Sequence, residues 1–343
     1  MNILLTSAGR RGYLVNYFKE ALKKQGEIHV ANSTEHSTAM IHGDHSIVTP
    51  LISDDAYIPF LKKYCEEHNI DAIIPLFDID LHILSKNKKE FEEIGTQIIV
   101  SNNEVIRICN DKWMTYNYLK RNGFNTPLTF LSSLDAVNAV QKNQISFPLI
   151  VKPRWGMGSI SIFEADNIEE LAVFYKKVGH SIQTTYLAFE SQQDIENCII
   201  IQEKIVGQEY GLDIINDLKG NYQTTIIKKK YAMRSGETDC SETVSNSGLE
   251  KVGEKLSGVM GHISNLDVDI FVMQGVPYVL EMNARFGGGY PFSHIAGVDL
   301  PKAIVRWLKG EVVGKSLFEA EIGVVGYKDL SVIGNRKRVA PSI

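Results

Sequence analysis

The 343-residue chain has no run of about 18 apolar residues, the length a helix needs to cross a membrane, and a membrane span is therefore excluded. Cysteine is scarce. Cys65, Cys109, Cys198 and Cys240 are scattered, with neither a CxxC pair nor metal-ligand spacing. Reduced, buried thiols in a cytoplasmic protein are the expectation. Positive charge is not in excess either: 36 Lys and Arg stand against 41 Asp and Glu, a net charge of -5. That balance gives no footprint for a nucleic-acid partner, so an anionic substrate must be held by locally placed cations. The chain also lacks GxGxxG, the P-loop pattern, internal repeats, low-complexity tracts and any Ser-His-Asp or Cys-His arrangement. Its opening residues, through Leu14, are too short an apolar stretch with the wrong order of charge for a signal peptide, and are read as a first buried strand.

What is present is an ordinary globular composition, 44% apolar and 22% charged, on a chain long enough for two or three packed units. Over the first hundred residues, strand-like runs at Asn2–Thr6, Ile28–Ala31, Ala72–Leu76 and Gln97–Val100 alternate with helical periodicity from Leu14 to Leu22, Tyr57–His68 and Leu81–Glu93. This alternation predicts a parallel sheet with helices on both faces, whose ligands bind at the C-terminal strand ends. Two loops lie there: Ser7–Gly12, with Arg10 and Arg11, and Phe77–Asp80, with Asp78 and Asp80. The first either holds a small anion or merely turns the chain. A helical region from Ser101 to Asn122 follows, and from Phe147 onward the pattern becomes that of antiparallel strands. The tail after Gly310 is less readable, and its basic NRKR run reads as a solvated patch.

Three segments carry chemistry. The strand at 148–153 delivers Lys152 into a small-residue loop containing Gly156, Gly158 and Ser159. A buried lysine requires a negative partner, and glycines allow backbone N–H groups to reach phosphate oxygens, so the pair suits a triphosphate. The second segment ends an apolar strand in Glu203, followed by Lys204 and Ile205, with Glu209 beyond a glycine; its carboxylates could accept from an adenine amine and ribose hydroxyls, or form an exposed turn. The third is the hairpin 268–285, where Glu281, Asn283 and Arg285 alternate with apolar residues and so share one face of an extended chain. Glu281 and Asn283, with Asp269 opposite, form an all-oxygen set suited to Mg²⁺, and Arg285 adds a fixed positive charge where a transferred phosphate or oxyanion would sit. A strict two-residue turn at Gln274-Gly275 would instead put Val268 opposite Glu281, so a bulge or longer loop is required. The glycine run 287–289 implies close backbone approach to a ligand.

In this order, the segments resemble the ATP-grasp superfamily over about residues 101–310. The opening strand and loop, the DAIIPLFDIDL stretch and the RFGGGYPFSHIAG stretch are similar to carbamoyl-phosphate-synthase-large-chain-like, single-copy proteins. The resemblance implies an α/β (α+β) chain in four parts. These are a Rossmann-like preATP-grasp domain at 1–100, a linker helix and small lobe at 101–190, a large lobe at 191–310 and a C-terminal extension at 311–343. The two lobes would carry antiparallel sheets. It implies Lys112 and Lys152 on the ATP phosphates beneath the loop of Gly156, Gly158 and Ser159. Glu203, Lys204 and Ile205 would meet the adenine, and Glu209 the ribose. Asp269, Glu281 and Asn283 would hold Mg²⁺, usually as two ions, and Arg285 the transferring phosphoryl group. The implied activity is ADP-forming ligation of a small carboxylate to an amine or thiol through an acyl phosphate. Arg10, Arg11, Asp78 and Asp80 are read as the substrate pocket, with an amino acid as the expected carboxylate. Arg234, Lys230 and His294 are further substrate candidates, each with an exposed or structural role as the alternative. A homodimer is usual among such relatives. A kinase stopping at a phosphorylated product and a non-catalytic nucleotide binder are the rival readings.

Overall fold

The structure, a computed structural model, describes residues 1–334. The NRKR run lies outside the described residues. The chain begins with β1 (Asn2–Thr6), α1 (Gly12–Leu22), β2 (Ile28–Asn32), β3 (His45–Val48), α2 (Tyr57–His68), β4 (Ile70–Pro75), α3 (Asp78–Lys86), α4 (Lys88–Glu92) and β5 (Gln97–Ile98). The five strands form one parallel sheet in the order β3-β2-β1-β4-β5. Ile3, Leu4 and Leu5 of β1 are fully buried, as a strand covered on both faces requires. The helix expected over Leu81–Glu93 is two helices that begin three residues earlier, at Asp78. The supposed loop acids Asp78 and Asp80 therefore sit in the first turn of α3, where the helix dipole favours negative charge.

Next come α5 (Asn103–Asn110) and α6 (Lys112–Arg121), divided at Asp111, whose side chain caps α6 by accepting from the N–H groups of Trp113 and Met114. The chain then builds β6 (Thr129–Phe130), α7 (Ser133–Gln141), β7 (Leu149–Pro153), β8 (Phe163–Ala165), α8 (Ile168–Thr184), α9 (Leu187–Ser191) and β9 (Ile199–Glu203). The four strands make an antiparallel sheet in the order β6-β9-β7-β8. Because β9 lies inside this sheet, the small unit extends to Glu203, past the expected division at residue 190. A larger antiparallel sheet follows, from β10 (Gln208–Asn216), β11 (Tyr222–Arg234), β12 (Glu237–Thr243), β13 (Ser264–Met273), β14 (Val276–Asn283) and β15 (Val325–Tyr327), in the order β14-β13-β10-β11-β12-β15. Helix α10 (Ser247–Met260) packs on β10 and β11, and after α11 (Tyr290–Ile295), α12 (Leu300–Leu308) packs on α1. The segment beyond residue 310 thus contributes the edge strand of the large sheet. Among the described residues no helix is long and apolar enough to cross a membrane.

Core packing divides the molecule differently from its three sheets. The N-terminal and large sheets share two continuous apolar clusters, one joining Leu4 to Val268 and the other joining Phe18 to Phe286. The four-stranded unit has its own cluster around Val151, Trp155 and Ile201. One buried ion pair fastens this unit to α6. Arg154 donates from Nε and Nη2 to Asp111 at 2.8 and 2.7 Å, and from Nη1 to Asp194 at 2.8 Å. Replacing Arg154 with Met would leave the Asp111 carboxylate buried without its fork. A loss of about 3–5 kcal/mol is expected in urea unfolding, and a loss below 1 kcal/mol would show the pair is dispensable.

Candidate active site

The site is built around the β13–β14 hairpin. Gln274 and Gly275 turn the chain with φ of 51° and 81°, a conformation that suits a tight two-residue hairpin. The register then shifts between Asp269 and Ile270, so that Asp269 faces Glu281 and Asp267 faces Asn283. This bulge is the feature the sequence required. It aligns four oxygen-bearing side chains two by two on one face of the sheet. Like charges opposite one another destabilise a sheet, so the Asp269–Glu281 pair needs cations nearby. Burial alone would raise the pKa of Glu281, but Lys112, Lys152, Arg285 and Lys230 outweigh it and hold the carboxyl below its ordinary range. Lys230 bridges Asp269 at 2.5 Å and Glu209 at 2.7 Å; burial opposes its charge, but these acids raise its pKa.

Over the hairpin lies a cleft of about 310 Å³ between the two antiparallel sheets. Of the residues expected to hold nucleotide, Lys112, Lys152, Gly156, Gly158, Ser159 and Glu209 all line it. Lys152 comes from the buried end of β7, and Lys112 from the first turn of α6, donating to the Gly156 carbonyl at 2.5 Å. Gly156 and Gly158 have φ of 142° and 67°, which favours glycine. Across the cleft, a Cβ on Gly236 at the β11–β12 turn would come within 2.6 Å of the Gly158 backbone, so hairpin and glycine loop meet over the opening. Glu203, Lys204 and Ile205 do not line this cavity. They lie at the end of β9, where Glu203 accepts from the Leu128 N–H at 3.0 Å and Lys204 pairs with Glu164 at 2.6 Å. The apolar walls, Ile162, Phe271 and Leu280, had no distinguishing signal in the sequence.

A second cavity of about 210 Å³ adjoins the first, sharing Asp269 and Glu281 of the hairpin and Gly158 and Gly236 of the two loops, and reaching Arg11, Asp78, Lys228, Glu237, Asp267 and Arg285. Arg285 forks onto Asp78, donating from Nε and Nη2 at 2.9 Å each, and so ties the hairpin to α3 of the N-terminal domain. Arg11 enters the cavity and donates to the Leu76 carbonyl. The expected face of two arginines against two acids is not formed. Arg10 is exposed and outside the cavity lining. Asp80 is fully buried, accepting from Thr6 at 2.6 Å, Ser7 at 3.0 Å and Tyr57 at 2.8 Å, so its oxygens are committed to joining β1, α2 and α3. Arg234 pairs with Asp239 at 2.5 Å on an exposed turn, and His294 stacks on Tyr17 with ring centroids 3.5 Å apart; neither reaches the cavity.

Several functional candidates escaped the sequence reading. Asp267 and Lys228 were legible in principle, because Asp267 alternates with Asp269 on β13 and Lys228 with Lys230 on β11. Burial, together with Asp269 and Asp213, pushes the Asp267 carboxyl up to about 7 despite Lys228 and Arg285. Lys228 is bound to buried Asp213, which also accepts from Ser293 at 2.5 Å. Glu190 of α9 lies beside Asp78 and Lys112, its pKa raised to about 7 by burial and then by Asp78. The glycine run makes room for protein groups. A Cβ on Gly287 would fall 2.1 Å from the Asp267 carboxyl carbon, while Gly288 and Gly289 line the cavity.

Lys152 is almost wholly buried. Desolvation lowers its pKa from 10.5 to about 8, although Glu281 and Asp269 favour the charge. A polyphosphate in the cleft would favour the ammonium and raise that pKa. Binding of ADP is therefore expected to weaken as pH rises above about 8, with proton uptake on binding near that pH. Calorimetry in buffers of different ionisation enthalpy measures this, and pH-independent binding between 7 and 9.5 would remove Lys152 from the phosphates.

Two antiparallel sheets closing on a cleft of lysines, a glycine loop and an acidic hairpin, behind a parallel-sheet domain, define an ATP-grasp architecture. A family model described as "ATP-grasp domain" matches residues 109–289, and one described as "PylC-like, N-terminal domain" matches residues 3–99. The chain belongs to the ATP-grasp family. It is 26% identical over 297 residues to the carbamoyl phosphate synthase large chain of Helicobacter pylori, covering 83% of this chain but 26% of that one. To D-alanine–D-alanine ligase A of Bacillus cereus it is 24% identical over 242 residues, covering 64% and 74% of the two chains. The biotin carboxylase domain of Hydrogenobacter thermophilus 2-oxoglutarate carboxylase superposes with a TM-score of 0.71 at 19% identity, over 94% of this chain and 73% of that one. An L-amino acid ligase from Bacillus licheniformis superposes with a TM-score of 0.64 at 18% identity, over 89% and 73%. At these identities the structural likeness shows the fold.

Proposed function

We propose that the protein is an ADP-forming ligase that uses ATP to activate a small carboxylate as an acyl phosphate and passes the acyl group to an amine. One observation carries this reading: Asp269 and Glu281 are the acidic groups common to the two adjoining cavities. A nucleotide held by Lys112, Lys152 and the glycine loop would present its terminal phosphate at those acids, with a carboxylate arriving from the adjoining cavity. The oxygens of Asp269, Glu281 and Asn283, with Asp267 adjacent, fit a hard divalent cation. Mg²⁺ held there would neutralise charge on the phosphate oxygens.

In this mechanism Lys152 and Lys112 draw off charge from the phosphates, and a substrate carboxylate oxygen attacks the γ-phosphorus as the bond to the ADP oxygen breaks. Arg285, held rigid by Asp78, faces the transferred group and then the tetrahedral oxyanion formed when the amine attacks the acyl carbon. Phosphate leaves, and the amine loses its proton to solvent or to Asp267. No side-chain nucleophile is required, and catalysis comes from positioning and electrostatics. Closure of the glycine loop against Gly236 would exclude water that otherwise hydrolyses the acyl phosphate.

An amino acid is the substrate class favoured by the second cavity, whose lining carries both cations, Arg11 and Lys228, and acids, Glu237 and Asp267. A carboxylate and an ammonium could each find a partner there. The names of two relatives, an L-amino acid ligase and a D-alanine–D-alanine ligase, point the same way. A dimer also belongs to this reading, since the Hydrogenobacter thermophilus domain is described as a dimer in complex with MgADP and bicarbonate. The test is phosphate release from MgATP across a panel of amino acids and other carboxylates, with and without amines. Release requiring both an acid and an amine supports the ligase. A stable phosphorylated product from one substrate alone would replace it with a kinase, and nucleotide binding without turnover across the panel would count against catalysis.

A further inference from the structure

A second group of ligating side chains lies at the other end of the parallel sheet, remote from the nucleotide cleft. His29 on β2 is in register with His45 on β3, so their side chains share a face, and Glu27 stands two residues before His29. The imidazole rings stack with centroids 4.5 Å apart. One oxygen of Glu27 lies 3.1 Å from His45 Nε2 and 3.9 Å from His29 Nε2. One ligand atom from each of the three residues falls within a mutual distance of 4.8 Å.

His29 makes this more than a surface cluster. Its side chain is 1% exposed, its Nδ1 lies 2.8 Å from the Tyr64 hydroxyl on α2, and its Nε2 has no hydrogen-bond partner. A buried polar atom left unpaired is costly, and this one faces the carboxylate and the second imidazole. The tautomer that donates from Nδ1 to the phenol leaves a bare lone pair on Nε2. That is the usual arrangement of a metal-bound histidine, whose far nitrogen is held by a second group. Of the neighbouring groups, Asp44 accepts from the Ile28 N–H at 2.9 Å and pairs with Lys19 at 2.6 Å, while the His68 ring packs on Tyr64 with its centroid 5.5 Å from that of His29.

We propose that Glu27, His29 and His45 bind one Zn²⁺ or a related first-row divalent ion. Two imidazoles and a carboxylate select such ions over Mg²⁺, which prefers oxygen alone. His45 and Glu27 are 45% and 54% exposed and free to rotate onto bonds of about 2.0–2.2 Å around fixed His29. Water would complete the coordination. The ion would clip β2 to β3 at the sheet edge, with Tyr64 setting the His29 ring.

The test uses the full chain, stripped with a chelator and titrated with ZnCl₂, and with Co²⁺ read by its visible absorption. One tightly bound ion per chain is expected beyond any taken up by the oxygen-only hairpin, with its binding weakened on the order of 100-fold in His45→Ala and about 10-fold or more in Tyr64→Phe. His45→Ala leaves the buried core intact, and Glu281→Gln, in the cleft, is the control expected to keep the cobalt spectrum. Equal zinc titrations of wild type and His45→Ala would overturn the proposal. So would a cobalt band lost in Glu281→Gln but kept in His45→Ala.

Discussion

Glutamine in place of Glu281 is expected to slow ATP-dependent phosphate release roughly a thousandfold, about 4 kcal/mol of barrier. The substitution keeps the size of the side chain and one acceptor oxygen, but removes the charge that faces Lys112, Lys152, Arg285 and Lys230. Those cations would then crowd the site without compensation, and the hairpin would hold a divalent ion with one carboxylate fewer. Nucleotide affinity in the absence of metal should change little or even rise, because the negative wall beside the phosphates is weakened. A variant retaining more than a tenth of wild-type turnover would show that the hairpin acids do not serve the chemistry. Asn283→Ala should follow the same pattern to a smaller extent, since it would remove a neutral oxygen from the proposed set.

The second large effect is a trade between stability and function at Lys152. In Lys152→Met, ADP affinity is expected to fall about 10- to 100-fold, the loss of a charge-assisted contact. The nucleotide-free protein should nevertheless melt a few degrees higher. The physical reason is that Lys152 is buried with its pKa lowered to about 8, so the folded protein carries the ammonium at a cost. The sign follows from linkage. Between about pH 8 and the ordinary lysine value the unfolded chain binds more protons, so wild-type stability rises with pH across that window and the advantage of the methionine shrinks. Below pH 8 the advantage should be full. A Lys152→Met protein that melts lower at pH 7 would mean that Glu281 and Asp269 already compensate the charge without nucleotide.

The packing also suggests how the cleft would work. The four-stranded unit has its own apolar cluster, whereas the N-terminal and large sheets share theirs. Binding energy from a nucleotide could therefore position one body against a rigid pair. Asp78 and Arg285 hold that pair together across the second cavity.

Local pattern alone determined much of this protein. Alternation of apolar strands and amphipathic helices specified the parallel domain, and the change of period near Phe147 specified the antiparallel sheets, because each depends on residues within a few positions of one another. The same locality exposed Lys152 with its glycine loop and placed Glu281, Asn283 and Arg285 on one face. Even the need for a bulge was legible, since counting from Gln274-Gly275 gave the wrong partner for Glu281. Only the tertiary structure decided how the charges were spent. Asp78 and Asp80 look alike in sequence, yet one forks with Arg285, 207 positions away, and the other is consumed by Thr6, Ser7 and Tyr57. Arg10 and Arg11 are neighbours, and the turn between β1 and α1 sends only Arg11 into the cavity. The pairing of His29 with His45 likewise required the order of strands in the sheet. Partners distant in the chain meet only after packing, and a charged side chain takes its role from the partner it finds when water is removed.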